Sequence, residues 1–334
     1  MQKALAMQMA LVTGGTGFIG SHVARALVAH GYPTRLLRRA TSRLDAVQDI
    51  DCEHVVGDVL DYESLLAAMQ GVDWVFHVAA VSDYWRSNPA RIYEVNVDGT
   101  QHVLRAAEES GVQRVVFTSS AAAMGYRDDM RMVDESVRFN WKQQLTPYGH
   151  SKFLAEAVVF RAIRRGLDCV ILNPSVVLGP GDLNQISSSV VLEMARGNVP
   201  PTIPPGGVTV IDVRDVAEAH VAAAERGRTG ERYLLGAVDL THKAWLRLTA
   251  DVVGQPSRRT FTLPPQLVHI AATAADLLRE FGVRLPIEGN QLRLSTRMMF
   301  FNCHKSWQEL GEPRIPIRQS LRDTYEWYKA HGDV

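Results

Sequence analysis

The sequence predicts an α/β protein: a doubly wound parallel sheet with helices on both faces, followed by a smaller α/β lobe at the C-terminal end. Short, continuous apolar runs alternate with longer amphipathic segments over the first 180 residues, and a glycine-rich turn joins the first run to the first segment. Continuous apolar runs are typical of parallel strands that are buried on both faces. Their alternation with helices implies right-handed crossovers, and therefore helical layers on both sides of one sheet.

Six strands and four helices are predicted in this first part of the chain. The strands are Met9–Thr13, Thr34–Leu37, His54–Gly57, Trp74–Val78, Arg114–Thr118 and Asp168–Asn173. The helices are Ile19–His30, Tyr62–Met69, Pro89–Ser110 and Tyr148–Arg165. Gly31 and Gly111 stand where two of these helices are expected to end, because glycine is the residue most often found just after a helix.

The alternation loosens after residue 180. The later elements that we predict are a strand at Thr209–Val213 and helices at Val216–Glu225, Pro265–Phe281 and Ile317–His331. We therefore predict a main unit over residues 1–180 and a lobe over residues 181–334 that packs on the carboxyl ends of the strands, where ligands bind in such folds. Segments such as 209–235 are expected to return to the main sheet.

Composition excludes several classes of function. The 334 residues include 36 basic and 36 acidic side chains, and this balance predicts neither a nucleic-acid nor a membrane partner. No apolar run approaches the ~20 residues that span a bilayer, and the N-terminus lacks a signal-peptide pattern, so a cytoplasmic protein is expected. No metal site is predicted, because the cysteines are far apart and the histidines lack metal-site spacing. The cysteines are Cys52, Cys169 and Cys303.

The first strand ends in a glycine loop, Thr13–Gly20, in which Gly14, Gly17 and Gly20 fall at a spacing of three residues. Glycine adopts the φ values of a tight turn at little cost, and its missing side chain lets the backbone approach a pyrophosphate. Because the loop follows a strand and opens a helix, it predicts a Rossmann-type dinucleotide site. A structural turn in a nucleotide-free protein is the alternative.

The residues after the second strand indicate which dinucleotide binds. The chain has Arg38 and Arg39 where an acidic residue would accept hydrogen bonds from the ribose of NAD, and no carboxylate follows until Asp45. A guanidinium group matches a 2′-phosphate, so we predict NADP rather than NAD. The alternative is that these arginines form a solvated surface run. Asp58, after the third strand, is placed to bind the adenine edge or to cap the strand end.

Two further motifs carry proton chemistry. Tyr148 and Lys152 are four residues apart, and therefore lie on one face of a helix. A lysine ammonium lowers the pKa of a nearby phenol, which then exchanges a proton near neutral pH. Ser120 follows the fifth strand, where its hydroxyl would reach a carbonyl oxygen. The Tyr-Lys spacing alone is common, and it gains meaning from the serine and the glycine loop upstream.

At this point the chain resembles the extended short-chain dehydrogenase/reductase superfamily over nearly its whole length. Within it, the chain is most similar to the dihydroflavonol-reductase-like branch, which also holds 3β-hydroxysteroid dehydrogenase relatives and the hopanoid-associated sugar epimerase-like proteins. Phe300-Phe301 and Leu321–His331 resemble the last group. The motifs that carry the wider resemblance are Thr13–Gly20, Asp58-Val59, His77–Ala80, Asn96, Thr118–Ser120, Tyr148 with Lys152, and Asn173–Asp182.

The resemblance implies roles for individual residues. Tyr148 would be the general acid/base, Lys152 would bind the nicotinamide ribose, and Ser120 would polarise the substrate carbonyl. Asn96 would support the active-site helix and a proton relay. The implied cofactor residues are Gly14, Thr16, Gly17, Phe18, Ile19, Gly20, Arg38, Arg39, Asp58, Val59, Val78, Ala79, Ala80, Thr118, Tyr148, Lys152, Pro174, Ser175 and Val177.

Three functions stay open, of which an NADP(H)-dependent carbonyl reductase is favoured. Dehydratases of the superfamily carry an Asp-Glu pair after the catalytic serine or threonine, and this chain has Ala121–Ala123 there. Val208 stands where UDP-sugar epimerases carry an arginine, which disfavours a nucleotide-sugar or isoprenoid-linked sugar epimerase. A non-catalytic NADP-sensing protein is the third possibility, although such proteins often lose the tyrosine or the serine.

We predict a small-molecule carbonyl or alcohol substrate held by apolar and aromatic side chains on the loops after the strands. A homodimer through the helices Pro89–Ser110 and Tyr148–Arg165 is also expected, because it is common in the superfamily. The candidate substrate residues are Ser82, Tyr84, Trp85, Met124, Tyr126, Trp141 and Asn173.

Overall fold

A computed structural model describes residues 7–82, 88–127, 131–183, 185, 187–198, 201–255, 260–281 and 289–334. Its strands are β1 (Ala10–Thr13), β2 (Thr34–Arg38), β3 (Glu53–Val56), β4 (Trp74–His77), β5 (Arg114–Thr118), β6 (Cys169–Pro174), β7 (Val176–Leu178), β8 (Thr202–Ile203), β9 (Gly207–Asp212), β10 (Arg232–Leu235), β11 (Val238–Thr241), β12 (Phe261–Thr262) and β13 (Met298–Met299). Its α-helices are α1 (Phe18–Ala29), α2 (Tyr62–Ala68), α3 (Pro89–Tyr93), α4 (Gly99–Glu109), α5 (Pro147–Arg165), α6 (Ser189–Ala195), α7 (Val213–Arg226), α8 (His242–Val253), α9 (Pro265–Glu280), α10 (Gly289–Leu294), α11 (His304–Leu310) and α12 (Ile317–Ala330).

The main sheet is parallel and has the strand order β10-β6-β5-β4-β1-β2-β3. The chain reverses direction across the sheet between β1 and β4, and this is the point at which doubly wound sheets bind their ligands. The six predicted strands correspond to β1–β6 within one residue at each end. The predicted fold class, a Rossmann-type sheet with a smaller lobe, is thereby confirmed.

Helices cover both faces of this sheet, and each face has its own apolar core. On one face α1 and α7 pack through side chains such as Leu27 and Val216. On the other face α2, α4 and α5 pack through side chains such as Leu65, Leu104 and Val159. Burial on both sides explains why the central strands β1, β4, β5 and β6 are continuous apolar runs rather than alternating ones, whereas β3 lies at the exposed edge of the sheet.

The predicted single helix over Pro89–Ser110 is wrong in detail. The chain forms α3, then a π-helical turn over Glu94–Asp98, and then α4. A π turn takes one residue more than an α turn, and such turns occur frequently at functional sites. Here the turn contains Asn96, whose side chain is buried between α5 and the loop after β4.

The smaller lobe is built around β9, which pairs with β11 in an antiparallel manner and with β7 and β13 in a parallel manner. Its core is formed with α6, α8 and α12. Of the segment 209–235, α7 and β10 return to the main sheet, whereas β9 belongs to the lobe. The helix α7 begins three residues earlier than predicted, because the Asp212 carboxylate caps it and accepts a hydrogen bond from the Arg214 backbone N–H (2.8 Å).

Within the described ranges, the structure contains no helix with the length and apolar character needed to cross a membrane.

Candidate active site

A cavity of about 930 Å³ opens at the carboxyl ends of β1, β4, β5 and β6, between the main sheet and the lobe. Every residue predicted to bind the cofactor lies in its wall, as do Ser120 and Ser82. These residues come from the carboxyl ends of six strands, β1 to β6, and from α5, so it is the parallel topology that brings them together. The two predicted substrate residues Tyr84 and Trp85 lie outside the described residues.

The glycine loop approaches the neighbouring strand so closely that side chains are excluded. Gly14 has a φ of +70°, and a Cβ atom there would lie 2.7 Å from the backbone of Ala79. A Cβ on Gly20 would collide with the carbonyl group of Gly14. The loop ends at Gly17, where α1 begins, and the first turn of this helix contains no acidic residue. Its free backbone N–H groups therefore form an anion site of the kind that holds a pyrophosphate.

The two arginines after β2 both lie in the cavity wall. The Nε atom of Arg38 is buried and has no hydrogen-bond partner, and its Nη1 atom is 3.5 Å from the carbonyl oxygen of Arg39. In the part of the chain that the structure describes, no ion pair joins either arginine to a carboxylate. By contrast Arg43, in the same wall, is paired with Asp45 (2.8 Å). Arg38 and Arg39 thus have guanidinium groups available for an anionic ligand.

Asp58 lies at the end of the cavity that the adenine edge would occupy. Its Oδ1 atom accepts a hydrogen bond from the backbone N–H of Leu60 (3.0 Å), so it also shapes the turn after β3. Both interpretations made from the sequence are therefore compatible with its position. Asp61, three residues further, caps α2 by accepting a hydrogen bond from the Ser64 backbone N–H.

Of the three predicted catalytic residues Ser120, Tyr148 and Lys152, the lysine has the most deeply buried side chain. Its side chain is almost completely buried, and its Nζ atom donates a hydrogen bond to the carbonyl oxygen of Thr118 (2.8 Å). Burial lowers the pKa of Lys152 to about 8, and the carboxylate of Glu156 acts in the opposite direction. The ammonium therefore stands in the cavity wall one helical turn after Tyr148, where its charge stabilises a tyrosinate.

Ser120 follows β5 and opens a short 3-10 turn over Ala121–Ala123. Its Oγ atom accepts a hydrogen bond from the backbone N–H of Ala122 (3.1 Å). A hydroxyl group that accepts one hydrogen bond in this way still has its own proton to donate. Ser120 can therefore donate to an oxygen atom in the cavity.

Asn96 does not line the cavity but lies directly behind its wall. Its amide clamps the backbone of Val81 with two hydrogen bonds (2.8 and 3.1 Å) and donates a third to the Oγ atom of Ser151 (2.9 Å). Val81 lies in the cavity wall, and Ser151 lies on α5 between Tyr148 and Lys152. Asn96 thus links the loop after β4 to α5, and its predicted part in a proton relay stays a prediction.

A buried carboxylate, Glu156, was missed in the sequence. Its Oε1 atom accepts from the Ser119 hydroxyl (2.5 Å) and from the Asn173 amide (2.6 Å), and its Oε2 atom is 3.3 Å from Nη1 of Arg232. Spacing was the available signal, because residues 148, 152 and 156 follow one another at one turn of α5. The Glu156 carboxylate therefore links α5 to residues at the ends of β5, β6 and β10.

Four of the predicted substrate residues lie outside the cavity wall. Met124 is fully buried in the core beneath the site, and the Nδ2 group of Asn173 donates to Glu156 (2.6 Å) and to the carbonyl oxygen of Ser120 (3.0 Å), whereas its Oδ1 atom is buried without a partner. Tyr126 and Trp141 pack on each other with ring centroids 4.4 Å apart, and they do not line the cavity. Among the predicted substrate residues that the structure describes, only Ser82 lines it.

The lobe supplies the wall instead, through residues for which no sequence pattern predicts a common site. Trp245 on α8 lines the cavity, and its Nε1–H group is buried without a hydrogen-bond partner. The hydroxyl of Ser175, beside the expected nicotinamide position, is also buried and unpartnered. The apolar part of this wall consists of Val190, Val208, Met299 and Phe301.

Two buried histidines support the strand ends. Nδ1 of His220 donates to the carbonyl oxygen of Val216 (2.7 Å), so its Nε2 atom accepts from the Thr118 hydroxyl (2.8 Å). Thr118 in turn holds Lys152. His77 is completely buried at the end of β4, where its ring bridges the hydroxyls of Thr13 (2.8 Å) and Thr100 (3.0 Å).

We expect His220 to make the protein sensitive to acid. Burial lowers the pKa of His220 from 6.5 to about 4, so below pH 6.5 the unfolded chain binds a proton that the folded protein does not. Stability is therefore complete above pH 6.5 and falls as the pH is lowered. When the pH is lowered from about 7 to about 5, the unfolding free energy of the wild type should fall by ~1–2 kcal/mol more than that of the His220→Gln variant. Urea unfolding at both pH values measures this difference, and His304→Gln, at an exposed histidine, is the control. Equal acid losses in the wild type and His220→Gln would contradict the assignment.

Removal of the Glu156 charge should shift the pH dependence of any turnover. Because this carboxylate raises the pKa of Lys152, Glu156→Gln should lower that pKa, and a limb of the kcat/KM profile that reports Lys152 should move to lower pH by about one unit. Glu94→Gln, at an exposed glutamate paired with Arg91, is the matched control. A variant that is less stable but keeps the wild-type profile would show that Glu156 is only structural.

Comparisons with known proteins identify the family of this chain. The model of the NAD dependent epimerase/dehydratase family matches residues 10–236. A Synechocystis protein provisionally named dihydroflavonol 4-reductase is 36% identical over 97% of this chain and 95% of its own length. Sterol demethylase protein B of Methylococcus capsulatus is 30% identical over 97% of this chain and 99% of its own length. The crystal structure of gox2253 is 35% identical, with a TM-score of 0.87, and covers 98% of this chain and 99% of its own.

Proposed function

Because this chain belongs to the NAD dependent epimerase/dehydratase family, whose enzymes use a nicotinamide cofactor, we propose that it is an NADP(H)-dependent reductase that converts a ketone or aldehyde to an alcohol. One observation carries the proposal. Ser120, Tyr148 and Lys152 line the same cavity as two arginines, Arg38 and Arg39, that form no ion pair in the described part of the chain.

The residues fit an NADP molecule. At the glycine loop the backbone is not covered by side chains, and α1 begins there, so a pyrophosphate could approach the helix N-terminus closely. The buried, unpartnered Nε atom of Arg38 is a donor without an acceptor, and leaving such a group unsatisfied is costly. A 2′-phosphate supplies that acceptor. Lys152 and Ser175 would lie beside the nicotinamide ribose and ring.

A bound, reduced nicotinamide supplies hydride to a carbonyl carbon. The chain's own residues act on the carbonyl oxygen: Ser120 donates a hydrogen bond to it, and Tyr148 transfers its phenolic proton to it. The Lys152 ammonium stabilises the tyrosinate that remains. Asn96 and Glu156 hold α5 so that the tyrosine and the lysine keep their positions.

The wall contributed by the lobe favours an apolar substrate. Val208, Met299 and Phe301 present hydrocarbon surface, and no arginine stands at position 208 to bind a diphosphate. The Nε1–H group of Trp245 offers one donor for a single polar group on such a molecule. An apolar pocket with few polar groups is the usual form of a site for a hydrophobic small molecule.

The second candidate is an epimerase that returns the hydride to the same sugar substrate. The name of the family, which includes epimerases, supports this candidate. Both functions need Tyr148, but only the reductase consumes cofactor. A mixed panel of aldehydes, aryl ketones, β-ketoesters and ketosteroids, assayed with NADPH and with NADH, tests the proposal. Oxidation of NADPH by a member of the panel supports the reductase. If no member of the panel is reduced and the cofactor stays bound through purification, the epimerase is favoured.

A further inference from the structure

Arg232, on the edge strand β10, connects two parts of the active site that come from different segments of the chain. Its side chain is largely buried, and its Nη1 atom forms an ion pair with the buried Glu156 carboxylate on α5 (3.3 Å). Its Nη2 atom donates a hydrogen bond to the backbone carbonyl oxygen of Glu135, in the loop that follows β5. One guanidinium group therefore contacts both the helix of Tyr148 and Lys152 and a loop outside that helix.

Glu135 is attached to β10 by its side chain as well as by its backbone. Its Oε1 atom accepts a hydrogen bond from the backbone N–H of Leu234 (2.9 Å). Two residues earlier in the same loop, Val133 is buried in the apolar cluster that also contains Phe301. We term residues 133–135 the connecting segment, because its two ends make these two different contacts.

The connecting segment fixes Phe301, a side chain of the cavity wall. The backbone N–H of Val133 donates to the carbonyl oxygen of Phe300 (2.9 Å), and the backbone N–H of Asn302 donates to the carbonyl oxygen of Val133 (2.8 Å). These two hydrogen bonds lie on either side of Phe301, whose own N–H donates to the Thr209 hydroxyl (3.0 Å). Phe301 therefore keeps its place in the wall through backbone contacts that depend on the connecting segment.

The other contact of Arg232 bears on proton transfer. Burial lowers the pKa of Lys152 to about 8, and the Glu156 carboxylate, one turn later on α5, opposes this shift. Arg232 places a positive charge beside that carboxylate and so weakens its effect on the lysine. His77 also lies near Lys152, but burial lowers the pKa of His77 to about 3, so it is uncharged near neutral pH. The charge of Arg232 should therefore influence the protonation of Lys152 through Glu156.

Support of the fold alone is a weak explanation of this arrangement. Buried ion pairs often contribute little net stability, and apolar side chains of similar size can replace them. The planar guanidinium offers several donors in a fixed geometry, so an arginine can hold two acceptors at once, whereas a lysine presents a single ammonium group. The neighbouring Lys305 is engaged elsewhere, because its Nζ atom forms an ion pair with Glu231 (2.5 Å) and donates to the backbone carbonyl oxygen of Arg232 (2.7 Å).

We propose that Arg232 is a positioning residue for the proposed reductase reaction, on which this inference rests. Its guanidinium holds Glu156 behind Lys152 and, through the connecting segment, holds Phe301 in the wall against which an apolar substrate packs. Arg232 itself does not line the cavity, so it acts on the reaction only through these residues.

The kinetics of Arg232→Gln, measured with NADPH and the best carbonyl substrate of the panel, test the proposal. We expect KM for the carbonyl substrate to rise by ~10-fold, because Phe301 is less firmly held, while kcat changes by less than about threefold. The limb of the kcat/KM profile that reports Lys152 should move to higher pH by about half a unit, because Glu156 then acts on the lysine without a neighbouring cation. This direction is opposite to the one expected for Glu156→Gln.

Arg232→Lys separates the effect of charge from that of geometry. It keeps a positive charge beside Glu156, so the limb should stay at its wild-type pH, but one ammonium group does not hold both acceptors, so KM should still rise several-fold. Glu135→Ala removes the contact with the Leu234 backbone and should likewise raise KM without moving the limb. These two variants carry the test even where Arg232→Gln does not fold, since that substitution leaves a buried carboxylate without its counter-charge.

Arg228→Gln is the matched control, because Arg228 lies four residues before Arg232, is exposed, and pairs with Glu309 (2.6 Å). It should keep the wild-type KM and pH profile. Folded Arg232 variants with a lower Tm but with the wild-type KM and profile would overturn the proposal, as would an equal rise of KM in the control. A wild type that oxidises NADPH with no carbonyl compound would instead refute the reductase, and the positioning role with it. Failure of the inference alone therefore appears only in the variants.

Discussion

Tyr148→Phe should abolish turnover and leave cofactor binding nearly intact. The substitution removes one oxygen atom, the proposed proton donor, from a side chain that keeps its ring. Loss of a positioned acid or base typically lowers a rate by 10²–10⁴-fold, and we expect a fall of ~10³-fold or more in kcat. NADPH affinity, measured by fluorescence titration, should change by less than about threefold, or ~0.6 kcal/mol.

Tyr126→Phe is the matched control, because Tyr126 is an aromatic residue of the same region that does not line the cavity. It should keep the wild-type kcat. A Tyr148→Phe enzyme that turns over at the wild-type rate would remove Tyr148 from the mechanism. A variant that loses NADPH binding along with activity would instead show that the phenol mainly holds the cofactor.

The second large effect concerns the choice of cofactor. Replacement of Arg38 and Arg39 together by alanine should lower NADPH affinity by ~10²-fold or more and leave NADH affinity almost unchanged. A hydrogen bond to a charged group contributes about 1.5–3 kcal/mol, and both guanidinium groups are free of carboxylate partners in the described structure. Titration of each variant with both cofactors measures the ratio directly.

Arg43→Ala supplies the control for this prediction. Arg43 lies in the same wall, but its guanidinium is engaged with Asp45, so its loss should change the ratio little. An equal loss of NADPH and NADH affinity in the Arg38/Arg39 variant would mean that the arginines shape the loop rather than recognise a phosphate. Tighter binding of NADH than of NADPH by the wild type would refute the choice of NADP.

The sequence predicted the sheet well, and the residues proposed to bind the cofactor lie in one cavity wall, because both features depend on local signals. Strands β1, β4, β5 and β6 are largely apolar and buried, and the loop Thr13–Gly20 carries its own conformational constraint. The position of Arg38 relative to that loop follows from one strand-helix-strand unit. Such features need no knowledge of distant contacts.

The substrate end could not be predicted in the same way. Trp245, Met299 and Phe301 lie on elements more than 60 residues after β6, and only packing of the lobe brings them to the cavity. Met124 was placed in the wall because it follows β5, but an apolar side chain after a strand enters the core as readily as a site. The π turn at Asn96 arises from tertiary contacts of its side chain, which no helical periodicity records.

The most direct test of the central claim is the fate of hydride in a single reaction. NADPH deuterated at the transferable C4 position is incubated with the protein and with the carbonyl compound that oxidises NADPH fastest, and the products are analysed by mass spectrometry. The account predicts one deuterium atom on the carbinol carbon of the alcohol and one NADP⁺ formed for each alcohol. Conversion of a sugar substrate with no net loss of NADPH and no deuterium in an alcohol product would contradict it.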